Sequence, residues 1–471
     1  MDTKLPCPVC GKVFHPKSLG KHKTRKHGAL VSPPAPSTKQ SVTTLFIAIP
    51  AQGDIKSDDA NTIRALFHAN NPNDDPNIQM LCNAARLNEL QGSLGRSLVA
   101  NCRGVWYIHQ LLATVTLAIN KFVPDCQLLQ HKWESAISLI RSGTLLDSLK
   151  EQNGQVVIFI SSTLADWPDM SQSEFLDTIY RIVVGHTHIR VYPSISEQRF
   201  EMLKIGDIRA LDEIATAFDC PVEFSMRPTT CGGYGECKLS NLRPRDYHVL
   251  KRSESCASAH VYKKKSEDRD KLRCALPGTP LNDKTTRPMS SSPFWFHQEF
   301  VPELDAFEFR VFIKNNGAAG EVIHTIWTSS VPLAEAVKGK RSKIKTRKVS
   351  EDDFHWAVPD GASRKPDIQR AKLKELKEFA LYVYQALRRR EDSNPHFETL
   401  EVGVRLDIGV LSRTANDARG ATDVYIEPGK YFFVNEITRW PEADWFSEST
   451  LETPYLRLCA EFAEPLARYL G

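Results

Sequence analysis

Asp407 lies between Leu406 and Ile408 in the apolar stretch Leu400 to Val410, and the pair Asn435-Glu436 sits in a second apolar run, Tyr431 to Ile437. Magnesium takes oxygen ligands in octahedral geometry, keeps several waters, and is commonly held by one or two carboxylates together with phosphates. Two strands that carry Asp407 and Glu436 side by side, with Asn435 as a further oxygen, suit magnesium held against a nucleotide. Strand alternation puts Arg405, Asp407 and Gly409 on one face and Leu406, Ile408 and Val410 on the other, toward the core. The competing expectation is that the acids pair with nearby arginines such as Arg405 and Arg439, because structural ion pairs position carboxylates too.

Upstream, the apolar strand His248-Val249-Leu250 ends on Lys251 and runs into the loop Ser253-Glu254-Ser255-Cys256-Ala257-Ser258. Small polar residues let backbone amides and hydroxyls approach phosphate oxygens, and a lysine at a strand end adds a point charge. An aromatic strand follows, Phe294 to Val301, and then Glu308-Phe309-Arg310-Val311-Phe312-Ile313. In the latter, Phe309, Val311 and Ile313 should face a core, while Glu308 and Arg310 face a cleft.

This ordered set resembles the ATP-grasp superfamily, over roughly the last 270 residues on the usual size of such lobes. The resemblance implies that Lys251 binds nucleotide phosphate and that Ser253, Ser255 and Ser258 belong to a mobile phosphate-covering loop. It implies that Gln298, Glu299 and Val301 form the hinge that holds adenine, that Glu308 binds the ribose, and that Arg310 meets the γ-phosphate or an acyl-phosphate. Asp407, Glu436 and Asn435 would then hold magnesium. Tyr192-Pro193-Ser194, Lys204, a helix from Ile208 to Phe218 and Cys220-Pro221-Val222 resemble the entry to the same fold, where a lysine, here Lys204, opens the nucleotide domain and in some members touches phosphate. Two departures stand out. The phosphate loop has no glycine and carries Glu254, and Thr438 occupies the position where the family's metal strand has an asparagine.

At the other end, Cys7-Pro8-Val9-Cys10 is followed after a finger-sized gap by His22 and His27. Thiolates and imidazoles at this spacing are tetrahedral zinc ligands, and a cysteine knuckle followed by a helix with two histidines closes such a site. Phe14 and Leu19 would form the miniature core of this C2H2-type ββα finger, whose metal contributes on the order of 10–16 kcal/mol of folding energy. Counting back from His22, the helix presents His15, Ser18 and Lys21 to bases, with Lys17, Lys23, Arg25 and Lys26 for phosphates. One finger covers only about three base pairs, so DNA, RNA and protein all remain open as its partner.

Composition bounds the rest. A chain of 471 residues, 41% hydrophobic, can bury sizeable cores, and a net charge of +4 does not mark a whole-chain polyanion binder. The absence of a run of about 18 apolar residues or a leader pattern points to an intracellular protein, nuclear or cytoplasmic, without a membrane partner. The odd cysteines, among them Cys82, Cys102 and Cys459, read as reduced buried thiols. Cys231 and Cys237 bracket a glycine-rich loop, and His186 and His188 share a strand face without a third ligand. Lys338 to Lys348 packs seven lysines and arginines into eleven residues, read as a solvated run, a nuclear-import signal or a clamp for an acidic substrate.

The elements that must position these groups follow from periodicity and punctuation. Residues 1–28 are the finger and 29–43 a proline-containing flexible linker. Residues 44–190 read as an α/β lobe with strands at Thr44 to Pro50 and Val156 to Ile160 and helices at Thr62 to Ala69, Val105 to Phe122 and Lys132 to Ser148. The resemblance implies that residues 191–290 and 291–471 are the two lobes of an α/β nucleotide domain.

The expected function is an ATP- and magnesium-dependent carboxylate–amine ligase with unidentified carboxylate and amine substrates, in which Lys251 and Arg310 are catalytic. The alternative is a non-enzymatic zinc-finger assembly factor that uses the same lobes as a scaffold.

Overall fold

The computed structural model describes residues 5–6, 13–14, 42–49, 76, 79, 99–102, 105–150 except 124, 154–159, 172–231 except 203, 239, 247–252, 261–265, 295–330 except 318, 344–359, 362, 365–391, 396–413, 429–443 and 455–470. The chain divides into a unit within residues 1–41 and a unit spanning Val42–Leu470. In the first, β1 (Leu5–Pro6) pairs antiparallel with β2 (Val13–Phe14), with Leu5 opposite Phe14.

The larger unit opens on a parallel sheet. β3 (Val42–Ile49) is central, flanked by β6 (Gln127–Lys132) and β7 (Gln155–Phe159), with β8 (Ile189–Tyr192) beyond β7. All neighbours run parallel. Leu45, Ile47, Val157 and Phe159 pack toward the helix Gln110–Phe122, while Phe46, Val156 and Ile158 pack toward the helices Trp133–Ser142, Thr144–Lys150 and Gln172–Val183. A sheet covered on both faces needs continuous apolar strands, and Val156-Val157-Ile158-Phe159 is one.

Two expected helices are divided. Val105 to Ile108 forms β5, a hairpin partner of β4 (Val99–Cys102), and the helix begins only at Gln110. Val-Trp-Tyr-Ile is β-branched and aromatic, a composition that fits a pleated surface better than a helix. The expected helix from Lys132 is cut at Gly143, whose φ of 74° makes the left-handed cap of Trp133–Ser142 before a second helix starts at Thr144. The expected helix at Thr62 to Ala69 lies outside the described residues.

A five-stranded antiparallel sheet in the order β14-β13-β12-β15-β16 carries the second half. Its strands are β12 (Glu308–Lys314), β13 (Glu321–Ser330), β14 (Ile344–Lys348), β15 (Gly403–Arg413) and β16 (Gly429–Arg439). One face buries Phe309, Val311, Ile313, Val404, Leu406, Ile408, Val410, Phe432, Val434 and Ile437 against the helices Lys365–Glu391 and Ile205–Ala215. On the other face Phe312 and Ile326 meet the helices Tyr455–Leu470 and Gln110–Phe122 in one apolar cluster. That cover ends before the residues that carry charge.

A three-stranded antiparallel sheet completes the described β-structure: β10 (Val261–Lys265), β9 (Tyr247–Arg252) and β11 (Trp295–Glu299), with β9 central. Thr230 adds a bridge to Gln298. The molecule is thus a mixed α/β structure with one parallel and several antiparallel sheets.

Candidate functional site

Register alone builds a charged row. Arg310 on β12 stands opposite Asp407 on β15, and Asp407 stands opposite Glu436 on β16. Side chains opposite one another on the same face of an antiparallel sheet interact directly. Asp407 accepts from Arg405 two residues earlier on its own strand, through Nε to Oδ1 at 2.7 Å and Nη2 to Oδ2 at 2.9 Å, and Arg310 Nε lies 3.8 Å from Oδ2. Arg405 also donates to the Thr438 hydroxyl at 3.0 Å and the Ala443 carbonyl at 3.3 Å. These charges are removed from water, with Arg310 7%, Arg405 4% and Asp407 2% exposed. Their mutual pairing is what makes such burial tolerable.

A β-bulge re-aims the next residue. Asp407 opposes Glu436 while Ile408 opposes Val434, so Asn435 has no opposite number. Such an inserted residue bends its strand and turns its side chain to a new direction. Asn435 Nδ2 donates to Glu308 Oε1 at 2.8 Å, and Asn435 Oδ1 accepts from Lys251 Nζ at 3.3 Å. The lysine at the end of β9 is thereby tied to the acid that opens β12, across two sheets.

The proximity alters both groups. Burial pushes the Glu308 carboxyl up to about 7, helped by the nearby Asp407 charge and opposed by Arg310 and the Asn435 hydrogen bond. Burial lowers the Lys251 ammonium to about 8 against the pull of Glu436, with Lys204 and Arg227 lowering it further. Lys204, Lys251, Glu308 and Glu436 therefore share one field. Lys204 precedes the helix Ile205–Ala215 with φ 52° and ψ −38°, a conformation costly for a side-chain-bearing residue and often stored at functional sites.

Farther along the same face the polarity changes. Beyond Asp407 come Gly409 and Leu411, and Leu411 packs with Phe433, Met226 and Val301, flanked by Leu304 and Tyr431. At Gly409 a Cβ would lie 2.7 Å from Leu304 Cδ2 and from Phe433 Cε1, so the absent side chain lets the Pro302–Asp305 turn lie against the sheet. One face thus runs from a charged end to an apolar end.

The hinge residues are structurally engaged. Glu299 accepts from the Thr229 amide at 2.9 Å and from Arg413 Nη1 at 3.0 Å, and Gln298 Nε2 donates to Thr230 Oγ1 at 3.2 Å. Their side chains bind the protein itself, and Val301 beside them is buried. Of the expected magnesium ligands, Asp407 and Asn435 hold protein partners as well. The Glu436 side chain is exposed and makes no hydrogen bond to another described residue, while its charge acts on Lys251 and Arg310. Among the described residues no group of three or more His, Cys, Asp or Glu side chains is arranged to hold a metal ion. Asp407 retains spare lone pairs, since a carboxylate offers about four acceptor positions.

Arg439, weighed in the sequence as a partner of the metal acids, serves elsewhere. On the helix-covered face it donates to both oxygens of Asp207, at 2.9 Å for Nη2 to Oδ1, and through Nε to Glu197 at 3.3 Å. Glu197 also accepts from the Thr399 amide at 3.0 Å and hydroxyl at 2.6 Å. Burial raises the Asp207 carboxyl against the opposing pull of Arg439. Sequence reasoning did not find Asp207, Glu197 or Arg227. Arg227 donates to Asp212 at 2.6 Å and to the Val434 carbonyl at 2.8 Å, beside the bulge.

Ser253, Ser255 and Ser258, and the finger ligands Cys7, Cys10, His22 and His27, lie outside the described residues. His186 and His188 meet edge to face at 6.0 Å. Cys126, Cys231 and Cys459 are buried. The end of the basic run is an ordered strand, where Arg347 pairs with Asp353 at 2.7 Å and lies 4.4 Å from the Trp327 ring centre. No described helix is long and apolar enough to cross a membrane.

No family model matches this sequence, and no curated protein matches it. Similar solved structures include the VanG D-Ala:D-Ser ligase from Enterococcus faecalis, with TM-score 0.41 and 10% identity over 91% of this chain and 100% of that one. D-alanyl-alanine synthetase A from Vibrio cholerae matches with TM-score 0.33 and 9% identity over 87% and 92% of the two chains. L-amino acid ligase from Bacillus licheniformis matches with TM-score 0.30 and 10% identity, over 60% of this chain and 60% of that chain.

Proposed function

We propose that the chain is an ATP-grasp enzyme that binds magnesium-ATP against β9, β12, β15 and β16 and activates a carboxylate for ligation to an amine. The observation that carries this reading is the convergence of Lys251, Glu308, Arg310, Asp407 and Glu436, which come from four strands of two sheets, with Asn435 bridging two of them. A triphosphate needs fixed cations, a nearby metal-holding acid and an apolar slot for its base. The charged-to-apolar run from Asp407 to Leu411 supplies that sequence of environments.

Glu436, whose exposed side chain makes no hydrogen bond to a described residue, would hold magnesium together with the remaining lone pairs of Asp407. When bound, the ion supplies neutralisation of phosphate charge. The chain's own groups do the rest: Lys251 and Arg310 stabilise the charge that develops as a substrate carboxylate oxygen attacks the γ-phosphorus and the bond to the ADP oxygen breaks. An amine nitrogen then attacks the acyl carbon, phosphate departs, and the nitrogen loses its proton. Fixed charges in a site shielded from water serve such transfer well, because it needs chiefly positioning and electrostatics.

The test is thermal denaturation with and without magnesium-ATP, on the wild type and on Lys251→Ala, followed by an ADP-release assay with panels of amino acids and small carboxylic acids. A ligand that binds only the native state must raise the midpoint. No rise in the wild type overturns the nucleotide reading; a rise without ADP release across the panels favours the scaffold alternative.

We also infer a structural zinc in residues 1–28. The β1–β2 pair flanks Cys7 and Cys10, as the strands of a ββα finger flank its knuckle, and this supports the ligand spacing. Metal analysis of the purified chain tests it: one zinc per chain, lost in Cys10→Ala, is the expected result.

A further inference from the structure

We propose that the turn after the helix Ile205–Ala215 and the adjoining part of the helix Lys365–Glu391 form a self-complementary surface. A second copy of this chain docks on it about a two-fold axis, each protomer seating its Phe218 in the other's pocket.

Local structure builds the knob. Where the helix Ile205–Ala215 ends, the Cys220 amide donates to the Ala217 carbonyl at 3.0 Å and closes a four-residue turn with Phe218 and Asp219 at its tip. The chain is anchored just beyond, where Phe224 packs on Phe379 and Tyr382 of the long helix at 5.3 and 5.5 Å between ring centres. A tip held in this way presents its side chains in a set direction. Phe218 is fully exposed there, and Val222, four residues on, is half-exposed. Single apolar side chains on a surface are ordinary. What sets Phe218 apart is the hollow beside it.

That hollow is a cavity of about 230 Å³ with Ile214, Ala217, Tyr382 and Ala386 in its walls. It is smaller than the roughly 300–1,000 Å³ of small-molecule sites and suits one inserted side chain. Phe218 does not fill it, since its ring stands in water. Glu213 and Arg390, also in the wall, answer each other in an ion pair. Asp219 and Arg389 complete the lining, both exposed and neither in a salt bridge to a described residue. Burial raises the Tyr382 hydroxyl, and Asp219 and Arg389 act on it in opposite directions, so the two charges flank one ring.

The composition of the patch selects the partner. It holds both halves of each contact: an apolar knob with an apolar pocket, and an exposed acid with an exposed arginine. A two-fold interface requires this, because what the first copy offers the second must be what the second offers the first. Seating Phe218 in the partner's pocket carries its chain neighbour Asp219 to the rim where the partner's arginine at the same position as Arg389 stands. Lys204 lies at the opposite end of the 11-residue helix, about 16 Å from the turn, so the contact does not touch it.

The experiment is sedimentation velocity of the full-length protein from about 1 to about 200 μM, the range a small interface calls for. The samples are the wild type, Phe218→Asp, Asp219→Arg, Arg389→Asp and the double reversal Asp219→Arg with Arg389→Asp. All these side chains are exposed, and matching melting curves verify that each variant is folded. The wild type should pass from monomer to dimer as concentration rises. Phe218→Asp should weaken the dimer at least about thirtyfold, as loss of a central aromatic anchor does. Each single reversal sets like charges against each other and should weaken it about tenfold. The double reversal restores opposite charges at both rims and should return close to the wild-type affinity.

A wild type that stays monomeric across that range overturns the proposal, as does a dimer indifferent to Phe218→Asp. A double reversal no tighter than either single one means that the two charges do not meet across the axis, and the two-fold arrangement is wrong. Species that grow beyond the dimer reveal an open head-to-tail contact, which overturns it as well.

Discussion

Arg310 and Asp407 face one another across β12 and β15, and Asp407 divides its carboxylate between Arg310 at 3.8 Å and Arg405 at 2.7 Å. One acid therefore answers two buried guanidinium groups. Asp407→Asn should destabilise the fold by about 3–5 kcal/mol, because removing one partner of a buried ion pair strands the other. Urea denaturation measures it. A triple variant, Arg310→Met and Arg405→Met with Asp407→Leu, should recover much of that loss, and failure to recover any would mean the cost is not one of stranded charge.

Arg439 gives the same logic with the signs reversed. Arg439→Met leaves Asp207 and Glu197 buried without their cation, at about 3–5 kcal/mol near neutrality. Orphaned acids take carboxyl pKa values above those of the unfolded chain, so the variant binds more protons folded than unfolded and loses stability as pH rises. Its deficit relative to wild type should shrink between about pH 8 and about pH 5 in urea melts. A deficit independent of pH would contradict the assignment.

Glu308 supplies a second pH signature. Its carboxyl is raised from 4.5 to about 7, so its contribution to stability is complete below 4.5 and is lost as pH rises toward 7. Glu308→Gln, neutral throughout, should match the wild type in acid and become the more stable of the two above pH 7. Chemical melts across that interval will show the two curves separating, if burial is the cause.

Lys251 shifts the other way, from 10.5 to about 8. A polyanion favours the charged ammonium, so nucleotide affinity should decline as pH rises through about 8. Lys251→Met should bind weakly and without that dependence. Titration at several pH values measures both.

Two glycines of β15 separate soft from hard crowding. A Cβ at Gly409 meets the ends of Leu304 and Phe433 at 2.7 Å, while one at Gly403 meets the Ile313 carbonyl oxygen of the neighbouring strand at 2.6 Å. Side chains can swing away and a ladder carbonyl cannot. Gly409→Ala should cost about 1 kcal/mol and Gly403→Ala about 3 kcal/mol, within the range for overpacking. Thermal midpoints of the two variants decide the order.

Alternation made the charged face legible: Arg405, Asp407 and Gly409 share it, and Leu406, Ile408 and Val410 are buried on the other side. Glu308 and Arg310 follow the same rule on β12. Asn435 has no single place in that rule, since counting from Val434 puts it on the charged face and counting back from Ile437 on the helix-covered one, and only pairing with β15 reveals the bulge that reconciles the two. Arg405 was visible as a same-face neighbour, yet its double hydrogen bond to Asp407 depends on rotamers that no spacing encodes. Asp207 and Glu197 lie 232 and 242 residues from Arg439 in sequence, so nothing local could pair them. Helix ends were missed where Gly143 and the aromatic Trp106-Tyr107 pair punctuate apolar runs whose period alone looked continuous.

The apolar face of Gln110–Phe122 finds Leu458, Phe462 and Leu466 of the last described helix as its cover. At typical synthesis rates more than 300 residues separate their emergence from the ribosome by roughly 20–70 s. During that interval the side of Gln110–Phe122 that the last described helix covers stands open on the nascent chain, an apolar surface of the kind that invites chaperone binding.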